Sequence, residues 1–272
     1  MLIYVLHRTR YVYEAPARYS VQTLRLTPSS LEGQRVVEWQ IEAPGIAEAI
    51  RFRDGFGNTL HQIAISGPHE EITVEARGLV ERTDTAGIMR GLIEVSPPRV
   101  YLRITPQTQA GEQIRALAGE AAGRDTIERL HALMGLVRDR IDYAVGETHS
   151  HTSAAEALAD GKGVCQDHAH VMIAAARHLG IPARYVTGYL IGEAEAGHAW
   201  VEAWVEGLGW LAFDPANRVC PTDHYVRLAA GLDAKSAAPI RGTHRGGDGE
   251  TLDVVVEVAQ QGPRQQQQQQ QG

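Results

Sequence analysis

Over the first ninety or so residues, apolar and polar positions alternate with a period of two or run through β-branched stretches. Segments 3–12, 21–26, 36–41, 59–65 and 71–80 have this texture, which predicts strands. Turn signals stand between them: Pro16, Pro28, Ala43-Pro44-Gly45, Asp54-Gly55-Phe56-Gly57-Asn58 and Gly67-Pro68. Five or more short antiparallel strands at this spacing predict a β-rich domain of the sandwich or barrel kind. Ser96-Pro97-Pro98 breaks the pattern, so the first domain is taken as residues 1–98.

Helical spacing then takes over. Residues 110–122 and 126–140 carry apolar side chains on one stripe, and Asp125 stands where an N-cap belongs. Ser153 and Glu156 form a capping box that opens a short helix. A loop at Gly161-Lys162-Gly163-Val164 leads into a helix over 165–179, which Gly180 and Pro182 stop. Strands follow at 184–191, 198–205, 210–213 and 251–258. An α+β core is therefore expected over 99–259. The glutamine run 260–272 cannot bury a core and is expected to be a disordered tail.

Composition narrows the function classes. The chain has 272 residues and a formal net charge of −7, which argues against nucleic acid and anionic membrane surfaces as partners. No apolar run is long enough to span a bilayer. The first residues, MLIYVLHRTRYVY, read as a strand and not as a signal peptide. Two cysteines, Cys165 and Cys220, are too few for a disulfide framework. A cytoplasmic location is the expectation, no cofactor is implied, and a homo-oligomer stays open.

Cys165 is the first candidate for chemistry. It follows Gly161-x-Gly163 at the start of a helix, where unsatisfied N–H groups and the helix dipole favour a thiolate. The same N–H groups suit an oxyanion. Position alone leaves the alternative, a small buried hydrophobe, open. A nucleophilic thiol needs a base, and the base an orienting group. His198 begins a strand whose even positions, His198, Trp200, Glu202 and Trp204, share a face that reads as a cleft wall, while Ala199, Val201, Ala203 and Val205 face the core. Asp214 ends the next strand, before Pro215. A turn centred on Gly207-Leu208 sets Asp214 opposite Val201, on the wrong face for His198. A bulge, or a departure of the chain at Asp214-Pro215, is expected to correct this.

At this point the chain resembles a known family. Gly163-Val164-Cys165-Gln166-Asp167-His168-Ala169-His170, Gly180-Ile181-Pro182-Ala183-Arg184-Tyr185-Val186-Thr187-Gly188-Tyr189, His198-Ala199-Trp200-Val201-Glu202 and Trp210-Leu211-Ala212-Phe213-Asp214-Pro215 are similar to the bacterial transglutaminase-like superfamily. Tyr11-x-Tyr13-x-x-Pro16, Leu24-Arg25-Leu26-x-Pro28 and Asp54-x-Phe56-Gly57-Asn58 resemble the β-rich region that commonly precedes that core. The resemblance implies a papain-like α+β core, with Cys165 as nucleophile, His198 as base and Asp214 as orienter. His168 departs from the pattern, which has an aromatic residue there.

Residue chemistry and resemblance agree on a mechanism. Cys165 attacks an amide carbonyl of a protein or peptide, an amine or ammonia leaves, and a thioester remains. Water then completes hydrolysis, as in a cysteine peptidase or amidase. In the alternative, a second amine takes the acyl group, as in a protein-glutamine acyltransferase. A peptide-binding module without catalysis is the reading from a different class. The oxyanion falls to the Cys165 N–H and a second donor, for which Gln166 and Tyr143 are candidates. Trp200 and Trp204 are candidates for shielding the thioester, or else packing residues.

Other signals carry less. Cys165-x-x-His168-x-His170 invites a metal reading, but His168 and His170 point apart on a helix and closed sites need four ligands, so no metal is expected. His149-Ser150-His151 reads as a solvated loop bordering the cleft. Cys220 reads as a structural thiol and Lys162 as a solvated loop lysine.

Overall fold

The computed structural model describes residues 1–192 and 197–261. Of the tail expected over 260–272, Gln260 ends a strand opposite Ile3 and the Gln261 N–H donates to the Leu2 carbonyl at 2.9 Å, so the tail begins later than expected; the rest, from 262 onward, lies outside the described residues. The protein is α+β, with an antiparallel β-rich region at its N-terminus. Two long strands, β1 (Leu2–Thr27) and β4 (Thr59–Arg82), run antiparallel through its whole length. On the outer side of β4 lie β2 (Gln34–Glu42) and β3 (Ile50–Arg53). Pro16 and Gly67-Pro68, expected to be turns between separate strands, sit where the β1–β4 register shifts between Val12, Ala17 and Tyr19. A proline has no N–H for the ladder, and an irregularity is where a sheet tolerates that.

The second sheet is antiparallel and has the order β11-β8-β9-β10-β5. Its members are β5 (Ile88–Met89), β8 (Ala183–Leu190), β9 (His198–Val205), β10 (Gly209–Phe213) and β11 (Tyr225–Gly231). A two-residue parallel pair, β6 (Asp142–Tyr143) and β7 (Lys162–Gly163), stands apart from it. On one face pack α1 (Glu112–Glu120), α2 (Thr126–Arg140), α3 (Ala154–Asp160) and α4 (Cys165–His178). The helix starts form as their caps predict: the Glu128 N–H donates to Asp125 Oδ1 at 2.9 Å, and Ser153 and Glu156 close a reciprocal box. Ala199, Val201, Ala203 and Val205 of β9 pack against these helices.

The other face of β9 does not form a cleft wall along its length. Trp200 and Trp204 enter a second core with Val186, Trp210 and Tyr101, and Glu202 is sealed between Arg184 at 2.6 Å and Arg227 at 2.8 Å. Both faces are buried because the N-terminal region covers the side the helices leave open.

That covering is fixed by hydrogen bonds as well as by apolar contact. The Gln34 amide donates to the Arg227 carbonyl and accepts from the Arg227 N–H, both at 2.8 Å. Asn58 treats Ala230 the same way, at 2.8 and 2.9 Å. Two side-chain amides thus do for β11 what a neighbouring strand would do.

After α5 (Ala234–Ala237) the chain crosses back. β12 (Ile240–Gly246) and β13 (Thr251–Gln260) both pair with β1. Residues 251–258, read from the sequence as part of the core, therefore extend the N-terminal sheet. Alternation in a sequence identifies a strand and is silent on its partner.

Candidate active site

Cys165 is the first residue of α4, 9% exposed, and it has no disulfide partner. The loop before it is shaped by small residues and one carboxylate. Gly161 closes α3 in the left-handed conformation, φ 66°. At Gly163 a Cβ would come within 2.6 Å of the Asp167 Cβ. Its absence lets Asp167 Oδ2 accept the Val164 N–H at 2.8 Å and the Thr148 hydroxyl at 2.7 Å. Asp167 thereby holds the helix start and ties the preceding loop to it. The Asp167 and His168 N–H groups donate to the Val164 carbonyl at 3.0 and 3.2 Å; those of Cys165 and Gln166 have no acceptor within the helix, and both residues line the cavity described below.

His198 and Asp214 meet directly. The His198 Nε2–H donates to Asp214 Oδ2 at 2.7 Å, with both side chains fully buried. No bulge brings them together. The turn between β9 and β10 has three residues, so Gly209 pairs with Val205 and Phe213 with Val201. This register is one residue away from the expected one, and it puts Asp214 on the face of His198. Nothing in the residues of the turn favours a centre on Gly207 over one on Gly207-Leu208.

Asp214 is held by four more donors. The Ala216 and Asn217 N–H groups reach Oδ1 at 3.0 and 3.2 Å, and the Asn217 amide and Tyr225 hydroxyl reach Oδ2, both at 2.8 Å. Burial by itself would raise the carboxyl; the bonds from His198, Asn217 and Tyr225 outweigh it and hold Asp214 below the usual range. Asn217 and Tyr225 escape sequence reading. Asn217 looks like an ordinary turn residue after Asp-Pro. Tyr225 opens β11, a strand whose pattern is interrupted by Arg227.

A cavity of about 1100 Å³ holds Cys165, Gln166, Tyr143 and His198 in its lining. His151 and Ser150 border it, as the loop reading expects. Its rim is open: Tyr143 is 43% exposed and Val145 81%. Trp200 lies outside the cavity. It is packed in the second core beside His198, with ring centroids 6.3 Å apart and planes nearly parallel, and so supports the imidazole from behind. His168 is fully buried, with Nδ1 2.8 Å from the Val164 carbonyl and Nε2 3.0 Å from that of Ile141. His170 accepts the Ala234 N–H at 3.0 Å. Neither shares a ligand position with Cys165. Burial pushes the Cys220 thiol up and keeps it protonated.

Comparison with known proteins places this arrangement. The transglutaminase-like superfamily core matches residues 115–215, and the bacterial transglutaminase-like N-terminal region matches residues 3–81. An uncharacterized protein of Mycobacterium leprae is 32% identical over 278 residues, spanning 93% of this chain and 97% of its own. The chain belongs to the transglutaminase-like superfamily. Among solved structures, this transglutaminase-like protein superposes with a TM-score of 0.73 on a candidate cysteine protease from Cytophaga hutchinsonii, at 23% identity over 95% of this chain and 90% of that one. That likeness establishes a shared fold. A shorter stretch of 82 residues, 26% of this chain, is 40% identical to a protein-glutamine gamma-glutamyltransferase of Pseudomonas aeruginosa, covering 12% of that protein.

Proposed function

We propose that this protein is a cysteine-dependent amide hydrolase acting on a protein or peptide substrate, with Cys165, His198 and Asp214 as its catalytic set. The observation that carries the reading is the buried His198–Asp214 bond at 2.7 Å, which fixes an imidazole that lines the same cavity as Cys165. An imidazole fixed through Nε2 presents Nδ1 as the base. Cys165 Sγ bonds to the carbonyl carbon while its proton passes to His198 Nδ1. The tetrahedral adduct, its oxyanion on the N–H groups of Cys165 and Gln166 at the start of α4, collapses as the C–N bond breaks and His198 returns the proton to the leaving nitrogen. Water, deprotonated by His198, then cleaves the thioester and restores the thiol.

Hydrolysis is favoured over transfer by the openness of the cleft. The two tryptophans that would shield a thioester are in the second core, and the rim residues Tyr143 and Val145 are exposed. Transfer to a second amine is the other reading, supported by the 82-residue similarity to a glutamyltransferase.

Incubating the protein with glutamine-containing peptides, with and without a primary amine, separates these outcomes by mass spectrometry. The expected result is a thioester adduct on Cys165 and a product either deamidated or cleaved, changing little when amine is added. Conjugate formation that dominates in the presence of amine supports transfer. Cys165→Ala should abolish every product while the protein stays folded; turnover that persists in it refutes the choice of nucleophile.

A further inference from the structure

One face of the N-terminal sheet passes from core to cleft without a break. On β1 the odd positions Ile3 and Val5 are fully buried, and Val5 pairs with Val258. Further along the same face come His7, Thr9 and Tyr11, paired with Val256, Val254 and Leu252. His7, Thr9, Tyr11, Leu252 and Val254 all line the cavity that contains Cys165 and His198. Along the stretch that builds this wall, residues 3–11 of β1 and 252–258 of β13, the charged side chains Arg8, Arg10, Asp253 and Glu257 are on the alternate positions and so on the other face. This wall is therefore uncharged, and Leu252, 57% exposed, stands at its open end.

Within it lies one polar device. His7 Nδ1 is 3.0 Å from the Tyr189 hydroxyl and Nε2 is 3.1 Å from the Thr9 hydroxyl. Burial lowers the His7 pKa to about 4, so near neutral pH the ring donates through one nitrogen and accepts through the other. One hydroxyl therefore spends its proton on His7, and the other receives from His7 and keeps its own. Neither the Thr9 nor the Tyr189 hydroxyl has a further hydrogen-bond partner among the described residues, and both residues line the cavity. In either tautomer one O–H donor is left over, on a residue that lines the cleft.

We infer that the wall built by β1 and β13 is the selectivity subsite of this protein, and that its ligand is a peptide carrying a bulky apolar side chain next to the reactive amide. The apolar side chain lies on Tyr11, Leu252 and Val254, and a peptide carbonyl accepts the proton that the Thr9–His7–Tyr189 chain has to give. A cavity of about 1100 Å³ has room for several residues of an extended peptide. A charged side chain laid on this wall would lose water and meet no partner on it, since the charged residues of the cavity lining, Asp233 and Lys235, belong to α5 and the residue before it and not to these strands. The subsite rests on the thiol chemistry proposed above.

The test is a competition between peptides that differ only in Leu or Asp beside a single glutamine, on either side of it, read as the ratio of kcat/KM values. Wild-type protein should favour Leu by about tenfold or more. Leu252→Lys, at an exposed position where folding is not at stake, should abolish or reverse that preference, which a structural role for Leu252 would not do. Thr9→Val, close to isosteric, should lower kcat/KM for both peptides by a similar factor of about ten. Formation of the Cys165 adduct from both peptides at equal rates, or an unchanged Leu/Asp ratio in Leu252→Lys, overturns the subsite and leaves the thiol chemistry standing. Absence of any adduct on Cys165 overturns the chemistry and the subsite with it.

Discussion

Five donors converge on the Asp214 carboxylate, and only one of them belongs to the imidazole. Such a carboxylate is fixed in position before His198 meets it, so the ring inherits its orientation from Asn217, Tyr225 and the backbone of the Asp214 turn. Asp214→Asn removes the charge and sets an amide N–H among groups that are themselves donors. The expected loss in acylation rate is about 10³ to 10⁴-fold, the size seen when an orienting carboxylate no longer enforces the tautomer. Single-turnover formation of the Cys165 thioester measures it directly. A loss below about tenfold would mean that His198 is oriented by its stacking on Trp200 and not by the carboxylate.

At the scale of elements, the helix that presents Cys165 depends on an absent side chain. Gly163→Ala would drive a methyl group into Asp167, whose carboxylate caps Val164 and anchors Thr148. Stability should fall by about 1–3 kcal/mol, with a larger proportional loss of activity because the start of α4 must shift. Denaturant unfolding beside thioester formation checks both, and wild-type-like values in both would show that the loop accommodates the methyl. Elements with local signals were legible in the sequence: α2 and α3 announce themselves through Asp125 and Ser153, and α4 stops at Gly180. β11 was not legible, because Arg227 in its centre reads as solvent-facing. Only the meeting with Glu202, from another strand, makes its burial tolerable. The order of Cys165, His198 and Asp214 could be read from motifs; the register joining the last two could not, because it depends on a turn of three residues. His7 and Thr9 pass as the polar side of an amphipathic strand, although their parity with Ile3 and Val5 already places them on the inward face.

For the molecule as a whole, two inward-facing histidines tie stability to pH. Burial lowers the pKa of His7 and of His170 from 6.5 to about 4 in the folded state. Between those values the unfolded chain binds more protons than the folded one, so stability is at its full value above pH 6.5 and declines as the pH falls towards 4. With each tenfold difference in proton affinity equivalent to about 1.4 kcal/mol, the two rings together account for at most about 7 kcal/mol. Denaturant midpoints at about pH 7, 5.5 and 4.5 should drop in that order, and His7→Gln should flatten the slope. A midpoint constant over this range would show that the two rings take up protons in the folded protein over the same pH range as in the unfolded chain.

β1 pairs near its start with the far end of the chain, Ile3 opposite Gln260. At about 5–20 residues per second of synthesis, β13 leaves the ribosome roughly ten to fifty seconds after β1. Throughout that interval one long flank of β1 has unsatisfied N–H and C=O groups open to any other nascent chain. Translation that stalls before residue 251 leaves β1 with an adhesive edge and the cleft without Leu252 and Val254, so the same ten residues that complete the sheet also remove a surface on which unfinished chains could associate.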